Sequence, residues 1–147
     1  MLRFGVLAVA VVCCCVTGVE AGQTFYVSPG AGADGGEGSE AKPWRTLSEV
    51  VARGGIRKVK PGDTVLLGTG YHGHVTLSGN NSQFITIAAG KGQTPTLGRL
   101  EIASGSKWLI RGLTISPSCG DKPYKGDIVT LAEGGTSSEL VIEDCFI

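Results

Sequence analysis

The chain has 147 residues, with 13 basic and 13 acidic side chains and therefore a formal net charge of zero. This length allows one domain, and the lack of a basic excess argues against nucleic acid as a partner. The 24 glycines and the aromatic content of only 6% favour an all-β fold with many turns.

Residues 1–21 have the pattern of a secretory signal peptide. Arg3 forms a minimal positive region, and residues 4–16 are an uncharged run. Val19 and Ala21 supply small side chains at the two positions that a signal peptidase reads, and we predict cleavage after Ala21. The uncharged run is shorter than the roughly 20 residues that cross a bilayer, so an uncleaved membrane anchor is the weaker interpretation. We expect a protein that is secreted, periplasmic or at the cell surface, with no membrane contact after cleavage.

Residues 22–62 predict a strand, a polar loop and one helix. The strand is Phe-Tyr-Val at residues 25–27, and the loop after it is rich in Gly, Ala, Ser and acidic residues. Thr46 and Glu49 fit a capping box, in which each side chain bonds to the backbone N–H of the other. The apolar stripe of the helix consists of Leu47, Val50 and Val51. Gly54 should end this helix.

From residue 63 to residue 147, short apolar segments recur with Gly, Asn, Ser and Pro between them. The first series comprises residues 65–67, 85–87, 108–110 and 140–142, and the second comprises residues 75–77, 100–102 and 129–131. This imperfect repeat of strands predicts coils that stack, so that equivalent strands form parallel sheets. A β-sandwich is the alternative, but the Asn-Gly and Asp-Gly loops that mark hairpins are scarce.

The repeat assigns partners and faces to the strands. Residues 85–87 should pair in parallel with 108–110, and 108–110 with 140–142, at about 4.8 Å between strands. A step of 20 residues aligns Val65 with Ile85. The residues expected to point inward are Val65, Leu67, Ile85, Ile87, Trp108, Ile110, Leu140 and Ile142 in the first series, and Val75, Leu77, Leu100, Ile102, Val129 and Leu131 in the second. The helix should cover the open N-terminal end of the stack.

Four segments of the mature chain are distinctive when they occur in this order: FYVSP at 25–29, KPWRT at 42–46, KPGDTV at 60–65 and WLIRGLTI at 108–115. This set resembles the opening of secreted right-handed parallel β-helix proteins of the pectate-lyase-like superfamily. The resemblance implies a solenoid of about three to four coils with an N-terminal capping helix. It covers essentially the whole mature chain.

Among named relatives, the chain most resembles the chondroitinase B and alginate lyase group, some members of which cleave acidic glycans by β-elimination. The catalytic Lys and Arg and the calcium-binding carboxylates of that group lie in later coils, and no position here matches them. The resemblance therefore implies the N-terminal part of an exported, carbohydrate-active protein, truncated at the C-terminus and inactive by itself.

When full length, the protein would act on acidic polysaccharide as a lyase, by β-elimination, or as an epimerase, and as a monomer. The resemblance assigns no catalytic residue and no cofactor to this segment, and calcium belongs to the missing coils. The alternative is a non-catalytic extracellular or surface β-helix that serves as a scaffold or binding protein.

Three outward residues are candidates for substrate binding. The strand alignment places Arg111 beside Glu143 on the outer face, where they can contact a sugar or, as we favour, form a cross-strand ion pair. Tyr124 lies in a long excursion between strands, where its ring can stack on a sugar. Trp108 can also stack, but its inward position predicts a core residue.

Two groups of residues carry side chains that can bind a metal, and a solvated segment is the favoured interpretation of each. His72 and His74 alternate along the chain, but no third ligand lies nearby in the sequence, which favours a solvated turn. Asp34, Glu37 and Glu40 lie in the glycine-rich loop without the spacing of a calcium-binding loop. We therefore predict no metal in this segment.

The mature chain keeps two cysteines, because residues 13–15 belong to the predicted signal peptide. Export permits a disulfide, but the alignment places Cys145 at the inward position of Leu113, while Cys119 lies past a corner. We predict two unpaired thiols, with Cys145 buried and Cys119 more exposed. Asn80 begins the acceptor sequence Asn-Asn-Ser, which predicts N-glycosylation if the source is eukaryotic.

Overall fold

The computed structural model describes residues 22–120, 123–131 and 137–147. The predicted signal peptide, with its cleavage site and its cysteines, lies outside the described residues. Within the three described ranges, no helix is long and apolar enough to cross a membrane.

Strands dominate these ranges, in which the α-helix has only 6 residues. The strands are β1 (Thr24–Val27), β2 (Thr64–Leu67), β3 (Gly70–Tyr71), β4 (His74–Ala89), β5 (Pro95–Leu97), β6 (Arg99–Arg111), β7 (Thr114–Ile115), β8 (Val129–Leu131) and β9 (Ser137–Glu143). The helix α1 covers Leu47–Ala52, and a 3₁₀ helix follows at Gly55–Lys58. β4 and β6 are long because each contains one segment of the first apolar series and one segment of the second.

Every strand pair in the described ranges is parallel. One sheet has the order β1-β2-β4-β6-β8, with β9 also paired to β6, and a second sheet has the order β3-β5-β7. The predicted partners are confirmed, since Ile85 lies opposite Trp108 and Trp108 lies opposite Leu140. A β-sandwich is built from antiparallel sheets, so these parallel pairs establish an all-β fold of another kind.

The first step of the repeat is two residues longer than the sequence alignment predicted. Val65 lies opposite Ile87 and not opposite Ile85, so the predicted step of 20 residues is wrong. A shift of two residues keeps the same side chains on the inner face, and the apolar pattern therefore cannot detect it. β1 extends this ladder, with Phe25 opposite Val65.

The inward columns form the hydrophobic core. Its buried members from the two series are Val65, Leu67, Val75, Leu77, Ile85, Ile87, Leu100, Ile102, Trp108 and Ile110. Val129, Leu140 and Ile142 are half-buried and pack against this core. Leu131 lies opposite the inward-facing Ile102 and therefore on the predicted face, although the residue is 53% exposed. β8 has a described neighbour only on its β6 side, so its inner face is incompletely covered.

The helix α1 forms at the residues predicted for it, while its role as a cap over the N-terminal end of the stack stays a prediction. Thr46 Oγ1 accepts a hydrogen bond from the backbone N–H of Glu49 at 3.3 Å, which is one half of the predicted capping box. Leu47 and Val50 are buried and Val51 is half-buried against the core, so the apolar stripe is confirmed. This stripe packs the helix against β4.

Two glycines allow β4 and β6 to approach each other between their two segments. Gly79 lies opposite Gly105 in the ladder, with φ angles of 128° and 146°. A Cβ atom on Gly105 would lie 2.4 Å from the carbonyl oxygen of Gly79. Both the backbone conformation and the close contact therefore require glycine at this position.

Candidate functional site

Arg111 and Glu143 end strands β6 and β9 and lie opposite each other in the ladder. Their side chains form the predicted cross-strand ion pair and are 55% and 37% exposed, respectively. An exposed pair of this kind contributes about 0–1 kcal/mol to stability. The two groups are accessible to a ligand, but each charge is largely balanced by the other.

Tyr124 lies near the opposite end of β6. Its ring meets that of His74 edge-on, with centroids 5.2 Å apart and planes at 74°. The guanidinium carbon of Arg99 lies 5.5 Å from the Tyr124 ring centroid, within the range of a cation–π contact. His74 and Arg99 are ladder neighbours at the first positions of β4 and β6. Two strands therefore hold the ring of a residue that belongs to an irregular segment.

Several hydrogen bonds fix the guanidinium of Arg99. Its Nη1 lies 2.9 Å from Glu101 Oε2, its Nε donates to the carbonyl oxygen of Asp127 at 3.3 Å, and its Nη2 donates to Thr130 Oγ1 at 3.4 Å. Glu101 also accepts a hydrogen bond from Thr76 Oγ1 at 3.4 Å. A guanidinium has more donors than these three contacts use, so Arg99 is oriented and can still bind a ligand.

Tyr71 completes this group of side chains. A Cβ atom on Gly98 would come within 2.7 Å of the Tyr71 hydroxyl oxygen and 2.6 Å of the His74 ring. Both side chains therefore lie directly over the Gly98 backbone, where only glycine leaves them room. We call the group formed by Tyr71, His74, Arg99, Glu101 and Tyr124 the Tyr124 cluster.

Sequence reasoning missed most of the Tyr124 cluster, although a signal for two members was present. His74 immediately precedes the apolar segment 75–77, and Arg99 immediately precedes the segment 100–102. Extending the repeat alignment by one residue would have placed these two side by side. Tyr124 could not be joined to them in this way, because the repeat does not define the course of the segment that carries it.

The Tyr124 cluster combines aromatic rings, a guanidinium, an imidazole and a carboxylate on a surface that is exposed at His74 and half-exposed elsewhere. The tyrosine rings offer apolar faces with a polar tip. A guanidinium matches the planar geometry of a carboxylate, and an imidazole or phenol can exchange hydrogen bonds and protons. A ligand with both ring faces and carboxylate groups suits this set.

The expectation that His72 lies in a solvated turn is wrong, because the residue is 0% exposed. Its Nδ1 accepts a hydrogen bond from the backbone N–H of Leu47 at 3.4 Å, and its Nε2 lies 2.8 Å from the carbonyl oxygen of Gly68. Since Nδ1 is an acceptor, the proton belongs on Nε2 and the imidazole is neutral. Burial lowers the pKa of His72 below its ordinary value of 6.5, and the hydrogen bond to Gly68 opposes this shift. The side chain satisfies an N–H in the first turn of α1, a requirement that the strand pattern does not reveal.

His72 and His74 do not converge on one site. Both ring nitrogens of His72 are engaged in the interior, whereas His74 is exposed. In the glycine-rich loop, Asp34 forms an ion pair with Arg45 at 2.8 Å. In the part of the chain that the structure describes, no group of three or more His, Cys, Asp and Glu side chains is placed to hold a metal ion.

Cys119 and Cys145 are both free, as predicted. Phe146 lies opposite Thr114, so Cys145 lies opposite Leu113, as the alignment requires. The prediction that Cys145 is buried is wrong, because Cys145 is half-buried, as is Cys119. β9 has a described partner only on its β6 side, and the Cys145 side chain is therefore incompletely covered.

Trp108 and Asn80 lie in different environments, the first in the core and the second on the surface. Trp108 is 2% exposed, which confirms its assignment to the core. Asn80 is exposed in β4, and its Oδ1 accepts a hydrogen bond from Ser106 Oγ at 3.5 Å. Glycosylation of Asn80 stays a prediction.

The chain matches no protein-family model, no curated protein and no solved structure.

Proposed function

We propose that this chain forms the first coils of a right-handed parallel β-helix and binds acidic polysaccharide at the Tyr124 cluster. One observation carries the proposal: the Tyr124 ring lies against Arg99 and His74 on an accessible outer surface. The predicted export signal agrees with this function, as does the resemblance of the opening segments to secreted proteins that act on polysaccharide.

The strand order supports the coil architecture. One unit contains residues 85–89, 95–97 and 99–106, and each segment pairs in parallel with an equivalent segment later in the chain. A chain that returns to the same side after each unit builds a solenoid, in which neighbouring units contact one another. The outer residues of successive units then form a continuous surface along which an extended polymer can lie.

An acidic polysaccharide presents the groups that the Tyr124 cluster can recognise. Each uronic acid residue has a carboxylate, which Arg99 can bind through two N–H groups. The ring of each sugar has an apolar C–H face, which Tyr124 can cover. Glu101 and His74 can exchange hydrogen bonds with the sugar hydroxyls. A neutral polysaccharide would lack the partner for the guanidinium.

We assign the reaction, β-elimination or epimerisation, to the full-length protein and not to these coils. Both reactions begin with removal of the proton at C5, next to the carboxylate of a uronic acid residue. The resemblance places the groups for this step in later coils. The alternative, a non-catalytic extracellular scaffold, predicts the same binding and no reaction at any length.

The binding proposal can be tested by titration calorimetry with polygalacturonate and alginate, and with dextran as the neutral polymer. Tyr124→Ala and Arg99→Gln should each weaken binding about tenfold, equivalent to about 1.4 kcal/mol, because each removes a direct ligand contact. Arg111→Gln is the matched control. It removes an exposed arginine at the other end of β6 and should change the affinity by less than about twofold.

Equal affinity for dextran, or an equal loss of affinity in Arg111→Gln, would contradict the proposal. Incubation of the chain with polygalacturonate should release no unsaturated uronate. If that product forms and His74→Gln abolishes it, catalysis belongs to the Tyr124 cluster and the assignment to later coils is wrong.

A further inference from the structure

The Tyr124 cluster contains a side chain whose charge depends on pH. Histidine ordinarily changes its charge between about pH 5 and pH 8, and His74 is the histidine of this cluster. The residue is exposed at the first position of β4, so it can exchange protons with solvent and contact a ligand. His72, the other of the 2 histidines in the chain, is buried in the interior and is not part of this surface. The net charge of the Tyr124 cluster therefore responds to pH through His74.

The other two charged members of the cluster offset each other. Arg99 Nη1 lies 2.9 Å from Glu101 Oε2, and the two side chains are only 27% and 25% exposed. The guanidinium keeps N–H groups that can position a carboxylate, but the Glu101 carboxylate cancels its attraction for a polyanion beyond contact distance. With His74 neutral, the cluster thus has no net positive charge to attract an acidic polymer.

The imidazole of His74 has neighbours on three elements. The charged or titratable groups that face it or lie one outward position away, among the described residues, are Tyr71 on β3, Arg99 and Glu101 on β6, and Tyr124 on the irregular segment. Tyr71 Oη and His74 Nε2 both lie within 2.7 Å of the position that a Cβ atom on Gly98 would occupy. Arg99 lies opposite His74 in the ladder and opposes a second positive charge there, whereas the carboxylate of Glu101 favours it and the phenols are neutral. A ligand carboxylate at this point would therefore shift the balance towards protonated His74.

We propose, on the basis of the function proposed above, that the Tyr124 cluster binds acidic polysaccharide more tightly in mildly acidic solution and that His74 takes up a proton from solvent on binding. With His74 protonated, the site has two cations against the single anion of Glu101. Arg99 and His74 both contact the Tyr124 ring, so one carboxylate of a sugar that stacks on this ring can reach both. The carboxylate stabilises the protonated imidazole in return. Protonation and binding thus strengthen each other by the same factor.

Titration calorimetry with polygalacturonate at pH 7.5 and at pH 5.5 tests the proposal. The carboxylates of the polymer stay ionised at both values, because carboxyl groups ordinarily titrate near about pH 4. The wild-type affinity should be about fivefold higher at pH 5.5, as expected for one added charge a few ångströms from a carboxylate at a protein surface. Titrations at pH 6.5 in two buffers of different ionisation enthalpy should show net proton uptake. Circular dichroism at each pH checks that the protein stays folded.

His74→Gln should bind with the same affinity at pH 7.5 and pH 5.5 and should take up no proton. His74→Lys carries a fixed positive charge, so it should also bind equally at both values, and more tightly than His74→Gln. Arg111→Gln, an exposed change at the other end of β6, is the matched control and should keep the wild-type pH dependence. A wild-type affinity that is equal at both values, or an increase that persists in His74→Gln, would overturn this proposal and leave the binding function intact. Absence of binding at both values would overturn the binding function and this proposal together.

Discussion

Acidification from pH 7 to pH 5 should destabilise the fold through His72. The residue is fully buried, and its Nδ1 accepts the N–H of Leu47, while its Nε2 donates to Gly68. A second proton would have to enter at Nδ1, where it would face the N–H of Leu47. Protonation therefore breaks one hydrogen bond and also places a charge in the core. The burial of that charge is what lowers the pKa of His72.

The sign and size of the effect follow from proton linkage. Because the folded pKa lies below the unfolded value of 6.5, the unfolded chain binds more protons once the pH falls below about 6.5. The stability that depends on neutral His72 is thus complete above pH 6.5 and is lost as the pH falls towards the folded pKa. The loss can reach about 1.4 kcal/mol per pH unit for one proton.

Urea unfolding at intervals between pH 7 and pH 5 measures this loss. His72→Gln keeps a hydrogen-bond donor and an acceptor but cannot titrate. The difference in the free energy of unfolding between wild type and this variant should therefore shrink as the pH falls. His74→Gln removes the other of the 2 histidines, which is exposed, and should keep the wild-type decline. If His72→Gln loses stability with pH as steeply as the wild type, the loss arises elsewhere and the reasoning about His72 fails.

Three other predictions concern glycine, thiols and glycosylation. Gly105→Ala should lower the free energy of unfolding in urea by about 1–3 kcal/mol, because Gly105 has a positive φ and a Cβ there would contact Gly79. Gly30→Ala should lower it much less, because a Cβ at Gly30 would meet nothing within 4 Å. Thiol titration of the mature, unreduced and unfolded protein should detect both Cys119 and Cys145, and a titration that finds no thiol would reveal a disulfide. Secretion from a eukaryotic host should add a glycan mass that Asn80→Gln removes, and an unchanged mass in wild type would exclude this modification.

The sequence predicts the strand ladder well because alternation is a physical consequence of the sheet. Ile85, Trp108 and Leu140 could be aligned because each begins a segment with apolar side chains at every second position. The alignment of Val65 failed for the same reason, since a period of two cannot distinguish Ile85 from Ile87. The sequence therefore predicts which face of the sheet a side chain occupies more reliably than it predicts the register between two strands.

The candidate site was less predictable, because its geometry depends on contacts between distant segments. The place of Tyr124 in a long excursion between strands makes it a candidate for ligand binding, but its contact with Arg99 depends on the course of that irregular segment. His72 was misassigned because its partner is the backbone of Leu47, 25 residues away in the chain. Neither contact leaves a periodic pattern in the sequence.

The parallel ladder also has a consequence for folding kinetics. Its pairs join residues from 18 positions apart, as in Thr96 with Thr114, to 40 positions apart, as in Thr24 with Thr64. The entropy of loop closure grows slowly with length, by about 0.6 kcal/mol per doubling, so each strand is added at a similar cost. Contacts at these separations predict folding slower than that of a helical bundle of equal length. When one strand is destabilised, that strand and its immediate neighbours should unfold before the rest of the ladder. Hydrogen exchange should accordingly show protection that differs from strand to strand.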